Sequence, residues 1–201
     1  MRRIEISILG AIIFSVVLSM CTVGTECASI RDSVLRLHVL ANSDSNDDQA
    51  LKLKVRDRLL DVSGELYAEC DTKEEAVSAT RKSLDALTSE AESVVRECGF
   101  DYPVRISLEE SYFNTRTYGN VTLPAGNYQA VRVIIGEGKG HNWWCVMFPP
   151  LCVSPASEDS VGLDDVLTPE QMELVECDGY EIKFKCVELY EELRKYLVKR
   201  S

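Results

Sequence analysis

Residues 128–152 run Tyr128-Gln-Ala-Val-Arg-Val-Ile-Ile135, then Gly136-Glu-Gly-Lys-Gly-His-Asn-Trp-Trp-Cys-Val-Met-Phe-Pro-Pro-Leu-Cys152. The first eight are strongly β-forming, with Val131, Val133 and Ile135 on one face. Trp143 to Phe148 reads as another strand. The glycines between them reach backbone angles closed to other residues. Tyr128–Phe148 therefore reads as a hairpin whose tip is Gly136 to Asn142. Successive strand residues point to opposite faces, so Trp143 and Trp144 part company. One can fill the core while the other covers a loop or meets solvent. Pro149-Pro150 ends pairing, because neither proline donates a backbone hydrogen bond. The window holds three of the eleven glycines and both tryptophans, and no other stretch of this length is so specialised. The functional surface is placed on its tip: Gly136, Gly138, Lys139, Gly140, His141, Asn142, Trp143 and Trp144.

Working outward, the period of two recurs before this window. Val104, Ile106 and Leu108 alternate with Arg105, Ser107 and Glu109. Residues Asn114 to Asn127, rich in Gly, Thr and Asn, read as a loop. Further back, Leu35, Leu37 and Val39 share one face of a strand, with Arg36 and His38 on the other. His38 reads as a strand residue with an ordinary partner. The polar break Ala41 to Asp48 supplies a cap for a helix carrying Leu51, Val55, Leu59, Val62 and Leu66. Lys52, Lys54, Arg56 and Arg58 read as its solvated face. Thr72 with Glu75 forms a capping box. It opens a second long helix with Ala76, Ala79, Leu84, Leu87, Ala91, Val94 and Cys98 on its buried stripe, closed by Gly99. Residues Pro155 to Pro169 are acidic and irregular, with a short helix expected after Pro169. Ile182 to Val198 reads as the last helix. The expected fold is α+β: a small, mainly antiparallel sheet with helices packed on it, in the order β-α-α-β-β-β-α.

The 201 residues suffice for one domain with a real core. A net charge of −11 argues against nucleic acid, whose phosphates demand a basic face. Met1-Arg2-Arg3 precedes an apolar or small run from Ile6 to Val23. Residues 1–28 therefore read as a signal peptide or N-terminal membrane anchor, and 29–201 as a single exported domain. Thr22-Val23-Gly24 offers a small-x-small cleavage site. Leu18-Ser19-Met20-Cys21 resembles an acylation site, but Met20 is too large for that step. Beyond the leader lie Cys70, Cys98, Cys145, Cys152, Cys177 and Cys186. An even number in an exported domain suggests disulfides, with buried free thiols the alternative. A Cys145–Cys152 bridge is expected, because Pro149-Pro150 can bend the chain back to bring the Cα atoms within about 7 Å. Cys70 and Cys98 sit at opposite ends of roughly 40 Å of helix if that helix is continuous, which excludes their pairing.

Catalytic and cofactor chemistry finds little purchase. Gly136-x-Gly138-x-Gly140 is not followed by a helix, and Lys139 is not followed by Ser or Thr, so a phosphate loop is rejected. Zinc lacks a C-x-x-C pair. Two histidines, with no nucleophile elbow and no H-E-x-x-H, leave no marked active site. No catalytic residue, metal or cofactor is assigned. An exported envelope hydrolase using paired carboxylates stays open as the alternative.

Three segments together resemble the stage II sporulation protein R family of endospore-forming bacteria. They are Leu35 to Ser45 with Asp48 to Asp57, Leu123-Pro124-Ala125-Gly126 with Tyr128, and Gly136 to Cys152. The resemblance spans about residues 34–152 and its last segment is the most specific. It implies a non-enzymatic intercellular signal. On that reading the forespore exports the protein into the space between the two membranes that separate it from the mother cell. There it activates a membrane-embedded aspartic protease, which processes the precursor of sigma factor E. The family offers no catalytic positions to carry over, and the assignment of the tip to the protease contact is a reading of this sequence alone.

Overall fold

The computed structural model describes residues 2–151 and 163–176. It is mixed α and β. Helix α1 spans Arg2–Ser33, β1 Leu35–Leu40, α2 Asn46–Leu66, α3 Lys73–Lys82 and α4 Leu84–Glu97. Strands β2 (Val104–Phe113), β3 (Arg116–Tyr118), β4 (Val121–Leu123), β5 (Gly126–Ile135) and β6 (Asn142–Phe148) follow, then α5 (Leu163–Val166) and α6 (Pro169–Glu176). The expected last helix, Ile182 to Val198, lies outside the described residues, as do Cys152, Cys177 and Cys186.

Four strands form the main sheet in the order β2-β5-β1-β6, and β3 with β4 form a separate ribbon. The sheet is mainly antiparallel: only β1 and β5 run parallel. Both faces of β1 are buried, all six residues of it. Leu35, Leu37 and Val39 join Val131, Val133 and Ile135 in a core against α2, α3 and α4. On that side α2 presents Leu51, Val55 and Leu59, and α4 presents Leu87, Ala91, Val94 and Val95. On the opposite face Phe113, Tyr128, Ala130 and Val146 pack with Ile30, Val34, Val121, Leu123, Leu163, Leu167 and Val175. The end of α1, the β3–β4 ribbon and the short helices thus close the second face.

That second core contains a charge. Arg36 is fully buried in it, its guanidinium 4.4 Å from the Phe113 ring centroid and 4.8 Å from that of Tyr128. Its Nε donates to the Cys145 carbonyl at 3.1 Å and one terminal nitrogen donates to the Tyr118 hydroxyl at 2.7 Å. The other terminal nitrogen, Nη1, is buried without a partner. Burial pulls the guanidinium below its ordinary proton affinity, against the opposing influence of Tyr118 and Tyr128. Aromatic faces supply the electrostatic compensation that a carboxylate usually gives.

Four readings of the sequence are corrected. Residues 128–148 are not a hairpin, because β1 lies between β5 and β6 and pairs with both. A strand apolar on one face and lined by Arg36 and His38 on the other is buried on both faces only at the sheet's centre. The second long helix is two, α3 and α4, meeting at Ser83. Residues 114–127 carry the β3–β4 ribbon, aligned by a Thr117–Thr122 hydroxyl bond of 2.7 Å. Lys52 is 4% exposed rather than solvated. The Thr72–Glu75 capping box forms as expected, and Ser45 caps α2. Cys70 and Cys98 are free thiols.

Helix α1 crosses the expected leader boundary. Its first half exposes Ile4, Ile6, Ile8, Leu9 and Phe14, while Cys27 and Ile30 near its end are fully buried. Among the described residues no helix is long and apolar enough to cross a membrane.

Candidate functional site

Because β1 is central, the chain leaving β5 must pass over its end to reach β6. Residues 136–141 make that crossing, and they dock on the turn that follows β1. Gly140 N–H donates to Ala41 O at 2.9 Å and Lys139 N–H to Asn42 O at 3.2 Å. Glu137 N–H donates to Asn42 Oδ1 at 3.0 Å and His141 N–H to Asp44 Oδ1 at 2.6 Å. The specialised tip and the polar turn 41–48 are therefore one composite surface, a knuckle at one end of the sheet.

The glycines have a local cause. Gly136 and Gly138 sit at φ +60° and +64°, in the left-handed region. At Gly140 a Cβ would run into the Ser43 carbonyl and the Ala41 methyl, so this position tolerates no side chain. Entropy lost at these glycines is offset by backbone hydrogen bonds within the chain, which replaces a partner-driven explanation for them.

Beneath the knuckle lies a polar foundation. Asp48 is 3% exposed, and its Oδ2 accepts from Asn42 Nδ2 at 2.9 Å and from Ser43 Oγ at 2.5 Å. Burial opposes its ionisation, yet the bonds from Ser43, Asn42 and Tyr102 prevail and hold its carboxyl below the usual range. Buried Lys52 donates to His141 O at 2.9 Å and to Gln49 Oε1 at 2.6 Å. This anchors α2 to the strand entering β6. The Asp44 carboxylate is held low by the His141 backbone N–H, with the His141 ring Nδ1 2.5 Å away.

The predicted residues divide clearly. Lys139 and His141 project outward, their side chains 75% and 79% exposed. Trp143 is 36% exposed on the helical side of the sheet, its ring 4.3 Å from the Arg56 guanidinium of α2. Trp144 turns to the other face and stacks on His38 at 3.7 Å, with Phe113 edge-on at 4.7 Å. Asn142 is exposed, but its Oδ1 bonds His38 Nε2 at 3.0 Å. His38 is thus the strand residue with an ordinary partner that its position suggested. Sequence reasoning kept Asn42 to Asp48 only as a second place for the contact, did not join Asp44 and Asp48 to the tip, and missed Lys52. The density of polar residues in 42–49 was the available signal, read there as a cap and a break.

The hydrolase alternative calls for two carboxylates facing one another in a cleft. Among the described residues, a groove between α2 and α4 is lined by Lys54, Asp57, Arg58, Asp61, Val94, Glu97 and Cys98. There Asp57 meets Arg56, and Arg58 meets both Glu90 and Glu97.

Residues 31–158 match the sequence model of the family described as Stage II sporulation protein R. The Stage II sporulation protein R of Bacillus subtilis (strain 168) is 37% identical over 123 residues. The match covers 61% of this chain and 55% of that relative, so it spans about half the relative's length. No solved structure matches.

Two outcomes follow from this geometry. Gly140→Ala should cost about 2 kcal/mol or more in chemical denaturation, since backbone on both sides of the contact must shift; a cost under about 0.5 kcal/mol would mean that the knuckle is loosely held. His38 has its pKa lowered by burial, against the Asn142 bond, with Arg132 lowering it and Glu109 raising it. Its neutral form is favoured in the fold, so its contribution is complete above the ordinary value of 6.5 and is lost as pH falls from there toward the folded value. Melting temperature should drop between pH 7 and 5, and His38→Gln should flatten that drop even if it lowers stability at pH 7.

Proposed function

The chain belongs to the stage II sporulation protein R family, and from that premise we propose that it is a protein signal rather than an enzyme. In this reading the forespore exports it, and it activates the membrane-embedded aspartic protease that processes the sigma factor E precursor in the mother cell. The exposed apolar residues of α1, Ile4 to Phe14, support a role for the N-terminal segment in export or anchoring. The Cys145–Cys152 bridge belongs to the same reading: Cys145 is a disulfide-bonded residue, while Cys27, Cys70 and Cys98 are free.

One observation carries the choice of contact surface. The knuckle fixes the backbone of 136–141 from within, yet leaves Lys139, His141 and Trp143 facing outward. A rigid backbone that displays an aromatic ring and two polar heads binds with little ordering cost. Tryptophan is also among the residues that most often dominate interface energy. Lys139 is paired with Glu137 and His141 with Asp44, so the spot offers a charge-balanced polar rim around an aromatic ring and can recognise a polar or apolar segment of the protease.

The test is co-expression with the candidate protease and its sigma precursor in a heterologous host. Precursor processing should depend on this chain. His141→Ala and Trp143→Ala should each reduce processing by about tenfold or more, at normal protein level and melting temperature. Truncating an interface anchor costs about 2 kcal/mol, which sets that scale. Asn142→Ala is a poorer probe, because it also removes the His38 partner. Trp144→Ala should act through stability instead. Wild-type processing by both the His141 and Trp143 variants would remove the knuckle from the contact.

A further inference from the structure

Strand β2 is the long outer strand of the sheet. It pairs with β5 along all ten of its residues in unbroken register. Among the described residues no strand pairs with the other side of residues 104–111. Outer strands are usually blunted by proline, lysine, a bulge or shortness, because an open row of backbone donors and acceptors invites another strand. From Val104 to Phe113 there is no proline, lysine or bulge, and Ile106 and Leu108 are only partly buried.

The sequence of this edge is complementary to itself. Residues 105–109 are Arg-Ile-Ser-Leu-Glu, with Ser107 in the middle. In an antiparallel pair, directly opposite residues share a face, so two identical strands related by a two-fold axis match odd positions with odd and even with even. Centred on Ser107, the pairing sets Arg105 against Glu109 of the second copy, twice, on the face that carries Arg132. On the face toward α4 it sets Ile106 against Leu108, also twice. Shifting the register by one pleat loses both matches: it sets Glu109 against Ser107 and Glu110 against Ile106, or Arg105 against Ser107. A further shift places Glu109 against its own copy.

We propose that the outer edge of β2 is a self-association surface whose partner is a second copy of this chain, paired antiparallel about Ser107 into one eight-stranded sheet. Arg105 is exposed and available for its role. Glu109 uses Oε1 for Arg132 at 3.0 Å and Ser111 at 3.3 Å, while Oε2 takes a single long bond from Ser107 Oγ at 3.3 Å. The second oxygen is therefore the one that accepts from Arg105 of the other copy. Such a dimer carries two knuckles, and two linked contacts raise avidity for a partner that is itself paired or concentrated in a membrane. The complementarity of this edge is independent of the signal reading.

The test uses the full chain with Ser107→Cys. Opposite Cα atoms of an antiparallel pair lie about 4.5–5.5 Å apart, within disulfide reach. Mild oxidation should therefore give a covalent dimer well above the level of the parent chain. Glu110→Cys is the control, since its two copies would sit roughly 20 Å apart in this register at about 3.4 Å per residue. Adding Arg105→Glu should cut the Ser107→Cys dimer about fivefold or more, and adding Glu109→Arg as well should restore it, because like charges directly opposite are destabilising. Folding of each variant is checked by circular dichroism. A folded Ser107→Cys chain that stays monomeric overturns the proposal, whether the edge is bare or covered by the chain's own remaining residues. Equal crosslinking at Glu110, or no rescue by the charge exchange, overturns the register and the proposal with it.

Discussion

The structure depends on one constraint: β1 is buried on both faces at the centre of the sheet. Strands β5 and β6, adjacent in sequence, are separated in space by its width. The chain between them must climb over the end of β1, and that passage is narrow. It needs Gly140 where any side chain would collide with Ser43 and Ala41, and left-handed turns at Gly136 and Gly138. The knuckle is the physical result of putting the first strand in the middle.

The same constraint organises the charges. With both faces covered, Arg36 is cut off from solvent and His38 nearly so, and both take partners from the chain itself. Arg36 takes an aromatic enclosure and two hydrogen bonds, and His38 takes Trp144 and Asn142. His38 therefore ties the second face of the sheet to the strand that emerges from the knuckle. Lys52 and Asp48 perform the corresponding task from α2. Rigidity at the surface is thus supplied from beneath by buried polar groups, which are expensive to leave unpaired and so hold their geometry.

Much of this was legible in the sequence, for reasons that can be named. Period-two patterns in 104–109 and 131–135 gave the strands and their faces, and Thr72 with Glu75 marked a helix start. Opposite faces for Trp143 and Trp144 followed from strand geometry alone. Strand order was not legible. A glycine-rich turn between two β runs reads locally as a hairpin, and only the insertion of a distant strand forbids it. Nor did spacing reveal that Lys52, set among basic neighbours on a helix, reaches a backbone carbonyl 89 positions away. Local patterns report which face of an element is apolar. They do not report which other element covers it, and the site is made by that covering.

The central claim is that the knuckle is where the protease is met. Its most direct measurement is site-specific photocrosslinking in cells that contain the full chain and the candidate protease. A photoreactive residue replaces either Lys139 at the knuckle or Glu74 on α3, both exposed. The account predicts a covalent adduct with the protease from position 139 and none from position 74. An adduct from 74 with none from 139 would contradict it and move the contact to α3.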